Sequence, residues 1–214
     1  MAGDGPDVLE VVGDVSRETI ERMERYRSLL CEWQARINLV GKDSLATFWS
    51  HHMADAVFLH HTAPNIRSWI DIGSGAGLPG IGLAILLAEG ERQGRIDSVE
   101  SDSRKCAFQR AAVLAVDLRR TNVDVVIHNR RAEGFEPTSP TDVLTARALA
   151  PLAKLLDLAR TMDPTPSRLL LFKGANHEHE VVEARRRYRF DHETYAHPIN
   201  EHSVLLDIRN LRDR

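Results

Sequence analysis

Hydrophobic positions along the chain change their period once, near Pro64. Before it the period is helical. From Ser16, a residue suited to an N-cap, apolar side chains recur at Ile20, Met23, Tyr26, Leu30, Trp33 and Ile37, one face of a helix. A second helix is predicted from about Asp43, with Leu45, Phe48, Trp49, His52, Met53, Ala56 and Val57 on one stripe. Residues 1–15 are Gly- and Asp-rich without periodicity and read as a mobile terminus. After Pro64, short apolar runs at 68–72, 95–99, 123–128, 143–146 and 169–172 alternate with amphipathic segments at 79–87, 103–118, 151–159 and 178–187. Strands buried on both faces read as continuous apolar runs, so this alternation predicts a parallel sheet with crossover helices. The end differs. Runs at 188–195 and 203–208 are separated only by the turn-prone HPINEH, which leaves no room for a helix and predicts an antiparallel hairpin. The expected organisation is a mobile terminus (1–15), a helical cap (16–64) and one α/β unit (65–214).

Composition narrows the class. With 214 residues, 43% of them hydrophobic, the chain suffices for one α/β core with a helical appendage. Lys and Arg number 28 against 31 Asp and Glu, so no global positive field draws the chain onto nucleic acid, and any such contact must be local. Two cysteines, Cys31 and Cys106, no apolar run of membrane-spanning length and no basic-then-apolar leader predict a cytoplasmic protein without a membrane partner.

The chemistry concentrates in one loop. The stretch DIGSGAGLPG, from Asp71 to Gly80, follows the first strand-like run and packs four glycines and a proline into ten residues. A loop without Cβ atoms lets a ligand approach the backbone closely at the start of a helix. Two patterns overlap: Gly73-x-Gly75-x-Gly77, and the dinucleotide fingerprint Gly75-x-Gly77-x-x-Gly80. A nicotinamide-dependent oxidoreductase is therefore one reading. The seventy residues before Asp71, and the lack of anything domain-sized after the sheet, weigh against it.

Five βα units closed by an antiparallel strand pair resemble the Rossmann-like S-adenosylmethionine-dependent methyltransferases, whose first motif joins an acid to G-x-G-x-G, as in Asp71 to Gly77. Their second motif is an acid closing the second strand, where Glu100 stands and where a carboxylate can accept hydrogen bonds from ribose hydroxyls. With HHMADA at 51–56, RAE at 131–133, LTARALAPL at 144–152, LFKG at 171–174 and INLV at 37–40, nearly the whole chain is similar to the RsmG (GidB) family of bacterial small-subunit ribosomal RNA guanine-N7 methyltransferases. The resemblance implies S-adenosylmethionine as cofactor, held by Gly73, Gly75, Gly77, Leu78 and Glu100, with Ala132 and Glu133 at its adenine and Arg147 on the cofactor side of the reaction centre. It implies the small ribosomal subunit and its 16S RNA as partner, and a monomer is expected. The chain departs from the family's Arg-His at His51–His52, from its Ser at Ala56 and from its Asp at Glu100.

What the sequence lacks is informative about mechanism. The fourth run ends in Thr145–Ala146–Arg147, with neither the Asn/Asp-Pro-Pro-aromatic signature of amine methylation nor the Pro-Cys pair of pyrimidine C5 methylation. Guanine N7 presents a lone pair and carries no proton, so its methylation needs positioning rather than a general base. Arg147 and Lys173, each ending a strand, are the candidates for that positioning. His52 and Asp55, three apart on a helix, face either the cleft or the core. The histidine pairs lack a cysteine or spaced acid to complete a ligand set, and no metal is expected. Candidate RNA contacts are Arg104–Lys105, Arg119–Arg120, Arg130–Arg131 and the run from Arg185 to Arg189. A non-catalytic ribosome-assembly factor that keeps the pocket is the remaining alternative.

Overall fold

The computed structural model describes residues 4–214. Its centre is a seven-stranded sheet in the order β3-β2-β1-β4-β5-β7-β6. Strands β1 (Ser68–Ile72), β2 (Gly94–Glu100), β3 (Val123–Asn129), β4 (Val143–Arg147) and β5 (Arg168–Lys173) run parallel, and β7 (Val204–Asp213) inserts antiparallel between β5 and β6 (Tyr188–Ala196). Helices α1 (Arg17–Gln34), α2 (Ala54–Thr62), α3 (Gly80–Leu87) and α4 (Ser103–Ala115) contribute to one apolar core; α5 (Leu152–Thr161) and α6 (His177–Ala184) build another. The predicted parallel strands and terminal hairpin are all present, each within a residue or two except β7, which runs on to Asp213. No helix among the described residues is long and apolar enough to cross a membrane.

Helix α3, GIGLAILL, is buried along its whole length. A helix that is apolar all round needs cover on every side, and α1 and α2 supply it on the side away from the sheet. Contact is close: a Cβ added to Gly82 of α3 would stand 2.7 Å from the Cβ of Ala56 on α2. Ser16 caps α1 as its position suggests, accepting from Thr19 N, and Glu89 accepts from the Ser16 backbone at 3.2 Å, tying that helix end to the segment after α3.

Two segments differ from the sequence reading. The stripe expected to form one helix from Asp43 is broken: a 3-10 turn (Lys42–Leu45) precedes a π-helical turn (Phe48–Met53) that runs into α2. Phe48, Trp49, His52 and Met53, which share the predicted stripe, are all buried in the π-turn. The terminus expected to be mobile is, from residue 4 on, docked. Pro6–Val11 forms a 3-10 helix with Leu9 buried, and the Asp4 carboxylate accepts from Trp49 N and Ser50 N at 2.8 Å each, satisfying free donors of the π-turn.

Candidate active site

Open parallel sheets bind ligands beyond the carboxyl ends of their strands, where the chain switches from one side of the first strand to the other. Here that point is the end of β1, flanked by β2 and β4, and the glycine loop occupies it. Gly73, Gly75 and Gly77 all have positive φ (66°, 58° and 84°), the left-handed region that favours glycine. Their surroundings differ. A Cβ on Gly77 would lie 2.5 Å from Ile81 Cδ1, whereas a Cβ on Gly75 would meet no protein atom closer than Gly73 O at 4.0 Å. Gly77 is glycine for internal packing; Gly75 faces open space that a ligand can fill.

The loop is held from below by a buried polar network. Gln109 of α4 donates through Nε2 to Ser74 Oγ and to Gly75 O, at 2.8 Å each, and its Oε1 accepts from Ser98 Oγ at 2.7 Å. Tyr26 of α1 donates to Ala76 O at 2.7 Å. Asp71, fully buried, accepts from Gly80 N at 2.9 Å and so caps α3. Burial pushes its carboxyl up to about 7, with the Gly80 N–H and the Arg147 charge pulling the other way. Tyr26 and Gln109 went unnoticed in the sequence, where both read as ordinary helix residues.

A cleft of about 320 Å³ opens against the loop, lined by Gly73, Gly75, Glu100, Ala132, Glu133 and Arg147 among others. Six of the residues singled out from sequence therefore converge. Glu100, buried at the end of β2, accepts from Gly75 N at 2.9 Å through Oε2 and from Asp102 N at 2.7 Å through Oε1. Oε1 also accepts from Ser101 Oγ at 3.4 Å, and Oε2 keeps a second lone pair for a ligand hydroxyl. Ala132 and Glu133 sit in a short turn at the rim, where Glu133 lies 3.5 Å from Lys154. Lys105, Arg130 and Arg131 line the cleft too.

Three sequence candidates lie elsewhere. Gly77 and Leu78 are outside the lining, and Leu78 is buried in the core. Lys173 opens instead on a neighbouring hollow that shares Ala148, Leu149 and Ala150 with the cleft. Its Nζ is bound to Glu180 Oε2 (2.6 Å) and to Ala150 O (2.9 Å), and Glu180 also accepts from Leu152 N at 2.6 Å. That cluster shapes the turn after β4, because a buried ammonium with two protein acceptors is committed to them. Of the arginine clusters, Arg186 and Arg187 pair with Glu183 and Asp157 at 3.1 and 2.9 Å, and Arg119 lies in a groove along β3.

Arg147 is tied to the helical segment before Pro64. Its Nη1 lies 2.7 Å from His52 Nδ1 and 2.8 Å from Asp55 Oδ2, so the two helix residues whose orientation the sequence left open are both joined to it. Burial first, then the charge of Arg147 and then His51, push the His52 imidazole down to about 2, so the ring is neutral and Nδ1 can accept.

A glycine loop at the switch point, an acid closing β2 and the strand order with β7 inserted antiparallel define a methyltransferase that uses S-adenosylmethionine. The same fold occurs in magnesium protoporphyrin IX methyltransferase from Synechocystis with bound S-adenosylmethionine (TM-score 0.57, 15% identity, 92% of this chain and 98% of that one). A methyltransferase from Geobacter sulfurreducens shares it as well (TM-score 0.55, 15% identity, 95% and 93%). The chain belongs to the GidB family, rRNA small subunit methyltransferase G, which matches residues 19–204. It is 42% identical over 208 residues to Ribosomal RNA small subunit methyltransferase G of Paramagnetospirillum magneticum, covering 97% of this chain and 96% of that one. Identity to the protein of the same name from a Ruegeria species is 40% over 208 residues, covering 97% and 98%. Family membership sets aside the nicotinamide and non-catalytic readings.

Proposed function

We propose that this protein transfers a methyl group from S-adenosylmethionine to N7 of one guanosine in the 16S RNA of the small ribosomal subunit, acting in the cytoplasm as a monomer. The observation that carries the reading is the glycine-lined cleft at the end of β1, with Glu100 and Arg147 on its walls, in a chain of the small-subunit methyltransferase family. The open space before Gly75 fits the cofactor, since it is the one glycine of the loop whose added Cβ would meet only ligand. When bound, S-adenosylmethionine supplies an electrophilic methyl group on a sulfonium. Glu100 is suited to the ribose, Ala132 and Glu133 to the adenine, and Arg147 to an oxyanion beside the reaction centre. Gly77 and Leu78 support the loop from behind, and Lys173 acts through the 148–152 turn that it anchors. That turn, Ala148–Leu149–Ala150–Pro151, offers no side chain to take a proton. N7 has none to lose, so the residues of the site orient and desolvate rather than perform acid-base work. The basic rim of Lys105, Arg130 and Arg131 provides local attraction for phosphate on a chain whose net charge is −3.

The test is to incubate the protein with labelled S-adenosylmethionine and small subunits from a strain without its own copy, then cleave the RNA with borohydride and aniline. One strong stop in 16S RNA is expected. Label resistant to aniline, or carried by protein, refutes the N7 assignment.

A further inference from the structure

Arg147 reaches from the cleft to His52 in the π-turn and Asp55 on α2, and Asp55 in turn lies beside the turn between β6 and β7. Its Nη1 is engaged by His52 Nδ1 and Asp55 Oδ2. The other Asp55 oxygen, Oδ1, lies 3.1 Å from His197 Nε2, in the β6–β7 turn, at an oblique angle. His197 Nδ1 accepts from the backbone N–H groups of Ile199 and Asn200, at 3.1 and 3.0 Å. An imidazole nitrogen that accepts carries no hydrogen, so the ring's hydrogen sits on Nε2, which makes no hydrogen bond among the described residues and stands beside the Asp55 carboxylate at 3.1 Å. His52, Asp55 and His197 are all buried.

This arrangement uses one nitrogen of the guanidinium. Nη1 donates to His52 Nδ1 and forms an ion pair with Asp55 Oδ2, while Nε and Nη2 make no hydrogen bond among the described residues. The Nε–Nη2 edge of an arginine is the planar fork that pairs with two oxygens of a carboxylate or phosphate. Arg147 lines the cleft, so this edge is what it has left for a ligand. We propose that His52, Asp55 and His197 are positioning residues that clamp Nη1 so that the Nε–Nη2 edge of Arg147 holds an oxyanion in the cleft. The inference rests on the reading of the cleft as a methyl-donor site. The oxyanion is the carboxylate of the donor or a phosphate of the RNA, and binding measurements tell them apart.

The informative variants keep local structure and remove one link. In His197→Asn the amide oxygen replaces Nδ1 as acceptor for Ile199 and Asn200, keeping the turn, but nothing reaches Asp55. His52→Asn keeps an acceptor for Arg147, and His52→Leu removes it. Calorimetry uses S-adenosylhomocysteine, which has the carboxylate, and 5′-methylthioadenosine, which keeps the nucleoside and sulfur without it. If the donor carboxylate is held, His197→Asn and His52→Leu weaken S-adenosylhomocysteine about tenfold, equivalent to about 1.4 kcal/mol, and leave methylthioadenosine unchanged. If an RNA phosphate is held, both affinities stay and the KM for small subunits rises by about the same factor. Either result, with His52→Asn behaving as wild type, supports the clamp. It is overturned if both nucleoside ligands weaken together, if no binding or kinetic constant moves, or if His52→Asn is as impaired as His52→Leu. Wild-type protein that binds neither ligand would overturn the reading of the cleft itself, and the clamp with it.

Discussion

Gly75 and Gly77 stand two residues apart, share a left-handed backbone and are predicted to fail in opposite ways. An alanine at Gly75 meets nothing in the protein within 4.0 Å, so its cost to folding is the left-handed penalty alone, about 1–2 kcal/mol. For a chain of this size that lowers the thermal midpoint by about 2–8 °C. An alanine at Gly77 carries the same penalty and also drives its Cβ to 2.5 Å from Ile81 Cδ1 and 3.3 Å from Gln109 Cγ. Ile81 is fully buried and cannot swing away, which adds about 1–3 kcal/mol of overpacking. Ligand binding should reverse the order. The Gly75→Ala methyl occupies space before the loop, so affinity for S-adenosylhomocysteine should fall at least about tenfold, or about 1.4 kcal/mol. Gly77→Ala, outside the cleft lining, should bind within a few-fold of wild type wherever it is folded. Scanning fluorimetry and titration calorimetry on the two variants give both numbers. The reasoning fails if Gly75→Ala binds as wild type does, or if Gly77→Ala loses affinity while keeping its thermal midpoint.

Two further outcomes follow from the same geometry. Glu100→Ala removes the acceptor for Gly75 N and Asp102 N together with any ligand hydroxyl, and should weaken S-adenosylhomocysteine by about 1–3 kcal/mol in calorimetry; an unchanged affinity would leave Glu100 as a loop brace only. His52 is held neutral in the fold, so below pH about 6.5 the unfolded chain takes up a proton that the native state refuses, and stability falls as pH drops; by pH 5 the loss approaches about 2 kcal/mol. Asp71 opposes this, because a carboxyl raised to about 7 favours folding as pH falls through that value toward the ordinary carboxylate range. Since His52→Asn removes only the first effect, the midpoint of the variant should rise relative to that of wild type as pH goes from 7 to 5, and parallel curves would contradict a neutral His52.

Strands β1, β4 and β5 were legible because each is a short, mostly apolar run, a pattern that burial on both faces demands, whereas β2 carries Asp97 and Ser98 buried in its middle and was legible from its place between helical segments. The helix after β1 was legible for a related reason, since GIGLAILL has no polar face to turn to solvent. Strand position is less forthcoming about where a side chain ends up. Arg147 and Lys173 both close strands, yet Arg147 lines the cleft while Lys173 is held by Glu180, a partner on the following helix that the strand itself does not reveal. His197 left no signal at all. It sits in a segment that reads only as a turn, and its function depends on Asp55, which the chain approaches only after the whole sheet is assembled.

That dependence bears on how the N-terminal helices relate to the rest. A boundary near Pro64 follows the change of hydrophobic period, but the contacts that define the site cross it. Tyr26 bonds the carbonyl of Ala76 in the glycine loop, His52 and Asp55 hold Arg147, and Ala56 packs where Gly82 leaves room. Tyr26, fully buried with its hydroxyl satisfied by that carbonyl, would lose its only hydrogen-bond acceptor among the described residues if the loop moved away, at a cost of about 1–3 kcal/mol. The loop in turn is bonded by both Tyr26 and Gln109, so its three left-handed glycines are braced from both the helical segment and the sheet unit. The change of period therefore marks a change of secondary structure rather than a division of labour, and the segment before Pro64 supplies part of the cleft's framework as well as the cover for α3.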